Sequence, residues 1–248
     1  MDRPCAQSLL DRARQGLNSL LAASRDAISY HPNLSAREVV VRFRGLACLR
    51  WHQSGIYFGA RDANTKRDPG KTRELERLFR ELRTHRHPLA SDTRHPRFRA
   101  QAERWLGFLI RQDVTRLDPS LDPHFAYAQV LAGTVGEHGI LDVLSATRAS
   151  RLAILELKTV EHPVFLMQGA KYWLRVKRHL ELEDFPRCGF FPGPQLQPAP
   201  PVVYLVAPAL RFHPATEILL RYLNPQMQVV RVGLAESWRS GLSVVLRQ

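Results

Sequence analysis

Apolar positions open the chain at near-helical intervals. Leu9, Leu10, Ala13, Leu17, Leu20, Leu21 and Ile28 predict an amphipathic helix over residues 7–30, ended by His31, Pro32 and Asn33. The pattern then changes. Residues 38–44 (EVVVRFR) predict a strand, and residues 46–58 one or two more, with Ser54-Gly55 as a turn. Residues 61–71 are polar and read as a loop around Asp68-Pro69-Gly70. A short helix follows over 72–83, with Leu75, Leu78, Phe79 and Leu82 on one face. Residues 84–97 form a basic, proline-punctuated connector. A domain boundary is placed there, separating a small basic α+β region (residues 1–90) from residues 91–248. His85, His87 and His95 in this connector lack a carboxylate or thiol at ligand spacing and read as solvated.

Beyond the connector the pattern becomes regular. A helix is predicted over 96–117, with Pro96 where a first turn tolerates it and Phe98, Ala102, Trp105, Leu106, Leu109 and Ile110 on its apolar face. Strands are predicted at 125–131, 139–146 and 151–158, then a long helix over 163–182. A proline-rich loop at 185–201 leads to a strand at 202–207, a helix at 215–223, and strands at 227–232 and 241–247. The order helix, three strands, helix, strand is a mixed α/β layer pattern.

Composition sharpens this picture. The 248 residues are 44% hydrophobic and 24% charged, which is globular and excludes collagenous, coiled-coil or wholly disordered chains. No run approaches the roughly 20 apolar residues of a membrane helix, so no membrane partner is expected. No signal peptide is recognised, and a cytoplasmic location is expected. Cys5, Cys48 and Cys188 lack the spacing of a thiolate metal site or disulfide framework. The net charge is +13, and residues 1–100 alone hold 20 basic and 10 acidic residues. That distribution suits a polyanion, with nucleic acid the foremost class. Only five of the 36 basic residues are lysines, so an arginine bias in the coding sequence is the competing explanation.

One constellation carries chemistry. Residues 151–158 are apolar apart from Arg151 until Glu156 and Lys158, which lie two apart and share a strand face. Asp142, on the preceding strand, falls beside Glu156 if a short hairpin turns at Arg148–Ser150. Two carboxylates about 4 Å apart repel by ~4 kcal/mol at an effective dielectric near 20. A divalent cation relieves that repulsion, and Lys158 helps. Hard cations such as Mg²⁺ take one or two carboxylates, with water and phosphate completing the shell. Taken singly, Asp142 can be a hairpin residue and Glu156–Lys158 an ordinary ion pair.

Asp142, thirteen intervening residues, and then Glu156-Leu157-Lys158 resemble the core of the PD-(D/E)XK nuclease superfamily. Gln168 and Tyr172 form a Q-x-x-x-Y motif similar to that of its RecB-like exonuclease branch. Glu156-Leu157-Lys158 is the sole acid-x-lysine triplet in the chain. Leu141 stands where the family often has proline. The resemblance covers roughly residues 96–207 and leaves residues 1–90 unexplained. It implies a restriction-endonuclease-like αβββαβ core with a mixed central sheet, using Mg²⁺ or Mn²⁺ to hydrolyse phosphodiester bonds, with DNA the favoured substrate. Asp142 and Glu156 would bind metal, with Glu103 as an additional acidic ligand. Lys158 would position the attacking water, and Gln168 and Tyr172 would orient substrate or the metal site. The alternatives are a nuclease-fold module that binds nucleic acid without turnover, and a component of a complex that docks a protein partner through residues 1–90.

Overall fold

The computed structural model describes residues 3–59, 65–66, 72–131, 139–193 and 195–248. Most of the loop expected at 61–71 lies outside them. The chain divides into two compact units, residues 2–108 and 109–248. No helix among the described residues is long and apolar enough to cross a membrane.

In the N-terminal unit, α1 (Arg3–Leu21) buries Ala6, Leu9, Ala13, Leu17 and Leu21, a stripe at three- and four-residue intervals. The helix expected to reach residue 30 stops at Leu21. A 3₁₀ segment, Ala22–Ala27, follows, kinked at Ser24. Ile28–Asn33 then forms a strand, β1. Ile28 fits helical and strand periods alike. The pairing decides, because β1 runs in unbroken antiparallel register with β2 (Glu38–Phe43), from Ile28↔Phe43 to Asn33↔Glu38. Pro32 is tolerated because β1 is an edge strand. Strands β3 (Leu46–His52), β4 (Gly55–Phe58) and β5 (Thr65–Lys66) complete an antiparallel meander in chain order. Helix α2 (Thr72–His85) contributes Leu75, Phe79 and Leu82 to the core that Leu17, Val41, Phe43 and Phe58 build.

The predicted helix over 96–117 is broken into α3 (Pro96–Arg99) and α4 (Ala102–Gln112), because Gln101 adopts φ +49°. Arg86 accounts for the break. Its side chain is fully buried and needs acceptors. It donates to the carbonyls of Phe43 at 3.1 Å, Arg44 at 2.8 Å, Arg97 at 2.6 Å and Ala100 at 2.8 Å. Its guanidinium also lies 4.8 Å from the Trp105 ring centroid. An uninterrupted helix would consume the Arg97 and Ala100 carbonyls in its own ladder. The same interaction places the connector inside the N-terminal unit, so the division falls at 108/109 rather than near residue 90. At the other end of this arrangement, Gly45 has φ +82°, and a Cβ there would lie 2.3 Å from the Arg104 carbonyl oxygen.

The C-terminal unit is built on β6 (Leu121–Leu131), β7 (Ile140–Thr147), β8 (Leu152–Leu157), β9 (Val202–Pro208), β10 (Val229–Leu234) and β11 (Val244–Arg247). These form one sheet in the order β11-β10-β9-β8-β7-β6. Pairings β8–β9 and β9–β10 are parallel and the rest antiparallel, so the sheet is mixed. Helices α5 (Phe165–Glu181) and α6 (Asp184–Arg187) lie between β8 and β9, and α7 (Ala215–Leu220) between β9 and β10. The protein is therefore α/β with two sheets, one of them mixed. Strands β8 and β9 are buried along their whole length, as parallel central strands are. Leu144, Leu152, Ile154, Val203 and Leu205 meet Phe165, Leu166, Trp173 and Val176 of α5 in the main core.

Replacing Arg86 with Lys keeps the charge but loses the planar fork that serves several carbonyls at once. Arg86→Lys is expected to destabilise the protein by about 3 kcal/mol, two to three net hydrogen bonds. Urea denaturation followed by circular dichroism measures this; an unchanged midpoint would refute the role given to Arg86.

Candidate functional site

The antiparallel register of β7 and β8 pairs Val143 with Leu155 and Leu144 with Ile154, which sets Asp142 across from Glu156. The Asp142 carboxylate closes the end of this ladder, with Oδ2 accepting the Leu157 backbone N–H at 3.0 Å. On the other side of β8, Glu156 pairs in parallel register with Leu205 of β9. The Lys158 backbone N–H donates to the Val206 carbonyl at 3.0 Å, so the chain leaves β8 still tied to β9. The two residues that follow Glu156 are therefore both held through their backbone N–H groups.

Strand alternation places Glu156 on the face of Leu152 and Ile154, under the core that α5 covers. Only 3% of Glu156 is exposed. Lys158 Nζ lies 3.3 Å from Glu156 Oε1, and 5.9 Å from the Phe165 ring centroid. Glu156 Oε2 is buried without a hydrogen-bond partner among the described residues. Burial first, and then the charge of Asp142, push the Glu156 carboxyl up to about 8, against the opposing pull of Lys158.

Helix α5 supplies the other side of the site. Gly169 lets it approach β9 closely, since a Cβ there would lie 3.0 Å from Val203 Cγ1 and 3.1 Å from Leu205 Cδ2. Gln168 and Tyr172, one turn apart, share a helix face. Tyr172 Oη donates to the Ile140 carbonyl at 2.9 Å, two residues before Asp142. Burial raises the Tyr172 phenol above its ordinary value, and the charges of Glu156 and Asp142 raise it further, so all three groups share one electrostatic environment. Gln168 Oε1 is buried with no hydrogen-bond partner among the described residues.

Asp142, Glu156, Lys158 and Tyr172 thus come together, with Gln168 on the same face of α5. Glu103 stands on the first turn of α4, in the N-terminal unit. Among the described residues no three His, Cys, Asp or Glu side chains gather into a metal-ligand group, and the site is built from the two carboxylates Asp142 and Glu156.

Two residues were not singled out from the sequence. Arg175 continues the row of Gln168 and Tyr172 at i+7, a spacing that could have found it. Its Nη1 lies where a Cβ on Gly139 would come within 2.0 Å, so a side chain at 139 would displace the end of Arg175, and its charge works against the rise at Tyr172. Gln129 sits opposite Asp142 on β6 with φ +53°, a local distortion of the strand that nothing in the sequence announces.

No family model matches the chain, and a search of curated proteins gives no match. Among solved structures, the chain is similar to one from an EndoMS–dsDNA2 complex, with 16% identity and a TM-score of 0.36. That similarity covers 54% of this chain and 44% of the other, less than half its length. At this score it carries no argument about the site.

The raised Glu156 carboxyl has a consequence for stability. The folded chain holds a proton that the unfolded chain releases near the ordinary value of 4.5. Stability should therefore fall as pH rises from about 4.5, reaching its lower level above about 8. Glu156→Gln, which carries no charge, is expected to exceed the wild type in stability by about 3 kcal/mol at pH 9, with the gap closing toward pH 5. Urea denaturation in chelator at several pH values measures the difference; parallel pH profiles would refute the burial of a charge there.

Proposed function

We propose that the C-terminal unit is a metal-dependent phosphodiesterase of the PD-(D/E)XK type, acting on nucleic acid and on DNA in particular. The observation that carries this reading is the pairing of Asp142 and Glu156 across adjacent strands, with Lys158 3.3 Å from Glu156.

The donor set fits a hard divalent cation. Mg²⁺ is commonly held by one or two carboxylates, with water and substrate oxygens in the remaining positions. Two carboxylates are present, and Glu156 Oε2 is a buried acceptor lacking a donor among the described residues. In this reading Asp142 and Glu156 hold Mg²⁺ or Mn²⁺, whose positive charge takes the place of the proton that burial otherwise keeps on Glu156. The cation supplies Lewis acidity and a water acidic enough to attack phosphorus.

The chain's own groups do the rest. Lys158, an ammonium largely withdrawn from solvent, orients the attacking water and balances charge that builds on the phosphate. Asp142 is kept in place by the Leu157 N–H, and Tyr172 steadies the entry to β7 through Ile140. Gln168 offers its buried amide oxygen to substrate. The proposal stands on Asp142 and Glu156 without Glu103.

A second reading has its own support. The described residues hold no third acidic or imidazole ligand beside the pair. That suits a nuclease-fold module that binds nucleic acid without hydrolysing it.

Purified protein is expected to cleave single- or double-stranded DNA in Mg²⁺ or Mn²⁺ and not in EDTA. Lys158→Ala and Asp142→Asn are each expected to reduce cleavage by at least about 100-fold, the scale of losing a positioned catalytic group, while circular dichroism is unchanged. Gel assays on DNA and RNA substrates decide. Binding without cleavage of any substrate would favour the second reading.

A further inference from the structure

The N-terminal unit carries a second place where ligand chemistry converges. Ser8, Leu9 and Arg12 of α1 line a cleft of about 560 Å³. Cys5 of the same helix, Leu34 and Arg37 from the turn between β1 and β2, and Gln53 from the turn between β3 and β4 complete it. Two arginines thus line one cleft from different elements, together with a half-buried leucine, a hydroxyl and an amide.

The turn that presents Arg37 is well fixed. Asn33 Oδ1 accepts from Ser35 Oγ at 2.8 Å and from the Ala36 N–H at 3.4 Å, and the Arg37 N–H donates to the Leu34 carbonyl at 3.2 Å. Arg37 is held at φ +50°. The backbone from which its side chain departs is therefore fixed.

Three arginines near the cleft in sequence are engaged. Arg14 pairs with Asp11, Arg25 donates to Asn18 and Arg50 pairs with Glu38. The guanidinium groups of Arg12 and Arg37 have neither a hydrogen bond nor an ion pair among the described residues. A guanidinium is weakly hydrated, and its fork of donors matches phosphate oxygens. Leu34, half-buried at the cleft, offers apolar surface to the sugar or base that accompanies a phosphate. Ser8 and Gln53 can donate or accept.

We propose that this cleft binds the phosphodiester backbone of a nucleic-acid strand through Arg12 and Arg37. Nucleic acid is favoured over an acidic polypeptide on two grounds. Twenty basic residues stand against ten acidic ones in residues 1–100, which suits a uniform polyanion. The apolar surface of Leu34 beside the cations has a counterpart in sugar and base, and none in an Asp or Glu side chain. The proposal stands apart from the hydrolytic reading, because it concerns binding alone.

The test uses the full chain in EDTA, where metal-dependent cleavage cannot proceed. Fluorescence anisotropy with labelled single-stranded and duplex oligonucleotides gives affinity as a function of salt. Removing two phosphate contacts should lower the slope of log K against log salt by about 1.5. Arg12→Ala/Arg37→Ala is therefore expected to show that smaller slope and about a tenfold loss of affinity at low salt. Arg178→Ala/Arg221→Ala removes the same charge from exposed positions of the C-terminal unit and should change affinity by less than about twofold. Arg12→Glu alone provides a second reading of the cleft, expected to weaken binding at least as much as removal of the charge. Affinity and slope unchanged in the Arg12/Arg37 variants, or an equal loss in the Arg178/Arg221 pair, would overturn the proposal. Displacement of the oligonucleotide by polyglutamate at equal charge concentration would assign the cleft to acidic proteins and also overturn it.

Discussion

The burial of Glu156 is the constraint around which the C-terminal unit is arranged. A carboxylate with 3% of its surface exposed must find compensation, or it will be protonated or expelled. Two of the routes are visible: the ammonium of Lys158 beside one oxygen, and the upward displacement of the carboxyl's own proton affinity. Neither is complete, since the second oxygen has no donor among the described residues. A packed interior of Leu152, Ile154 and Leu205 could accommodate an apolar residue at this position more cheaply. A buried acid kept under such terms is an indication of use rather than of stability.

The surrounding architecture keeps that acid from relaxing. The backbone of β8 is bonded on both edges, to β7 and to β9, so Glu156 cannot swing out without breaking sheet pairing. Helix α5 closes over the same face, brought near by the absence of a side chain at Gly169. Tyr172 then reaches the carbonyl of Ile140, coupling the helix to the strand that bears Asp142. Asp142 and Tyr172 are thus each held by a backbone group of another segment, the Leu157 N–H and the Ile140 carbonyl, while Lys158 and Glu156 hold each other. Preorganisation of this sort lets a site keep its geometry while its charges change.

Much of this could be read from the sequence, for reasons that differ by element. The strand at 151–158 was legible because, after Arg151, its apolar run breaks only at Glu156 and Lys158, and alternation then fixes their common face. Asp142 was placed opposite Glu156 because a tight hairpin permits one register there. Helix α5 followed from periodicity, with Gln168 and Tyr172 one turn apart. Other features depend on partners that no local pattern reveals. Residues 28–30 read as helix because Ile28 continues the apolar stripe of α1, whereas the in-register pairing with β2 outweighs that local preference. The single helix expected at 96–117 contains a break that a distant side chain, Arg86, requires. The backward twist at Gln129 and the close seat of Arg175 against Gly139 are likewise tertiary facts.

Arg86 has a further consequence for how the chain can be dissected. The proline-rich connector looks like a natural place to cut, and a fragment ending near residue 90 would retain every strand of the meander. It would also retain a guanidinium in the interior while discarding the Arg97 and Ala100 carbonyls that receive it. Such a fragment would have to admit water to its core or turn the arginine outward, and either would loosen the contact with Phe43 and Arg44. The smallest autonomous piece of this region therefore extends past the connector, and limited proteolysis at 88–95 would nick the protein without liberating a stable half.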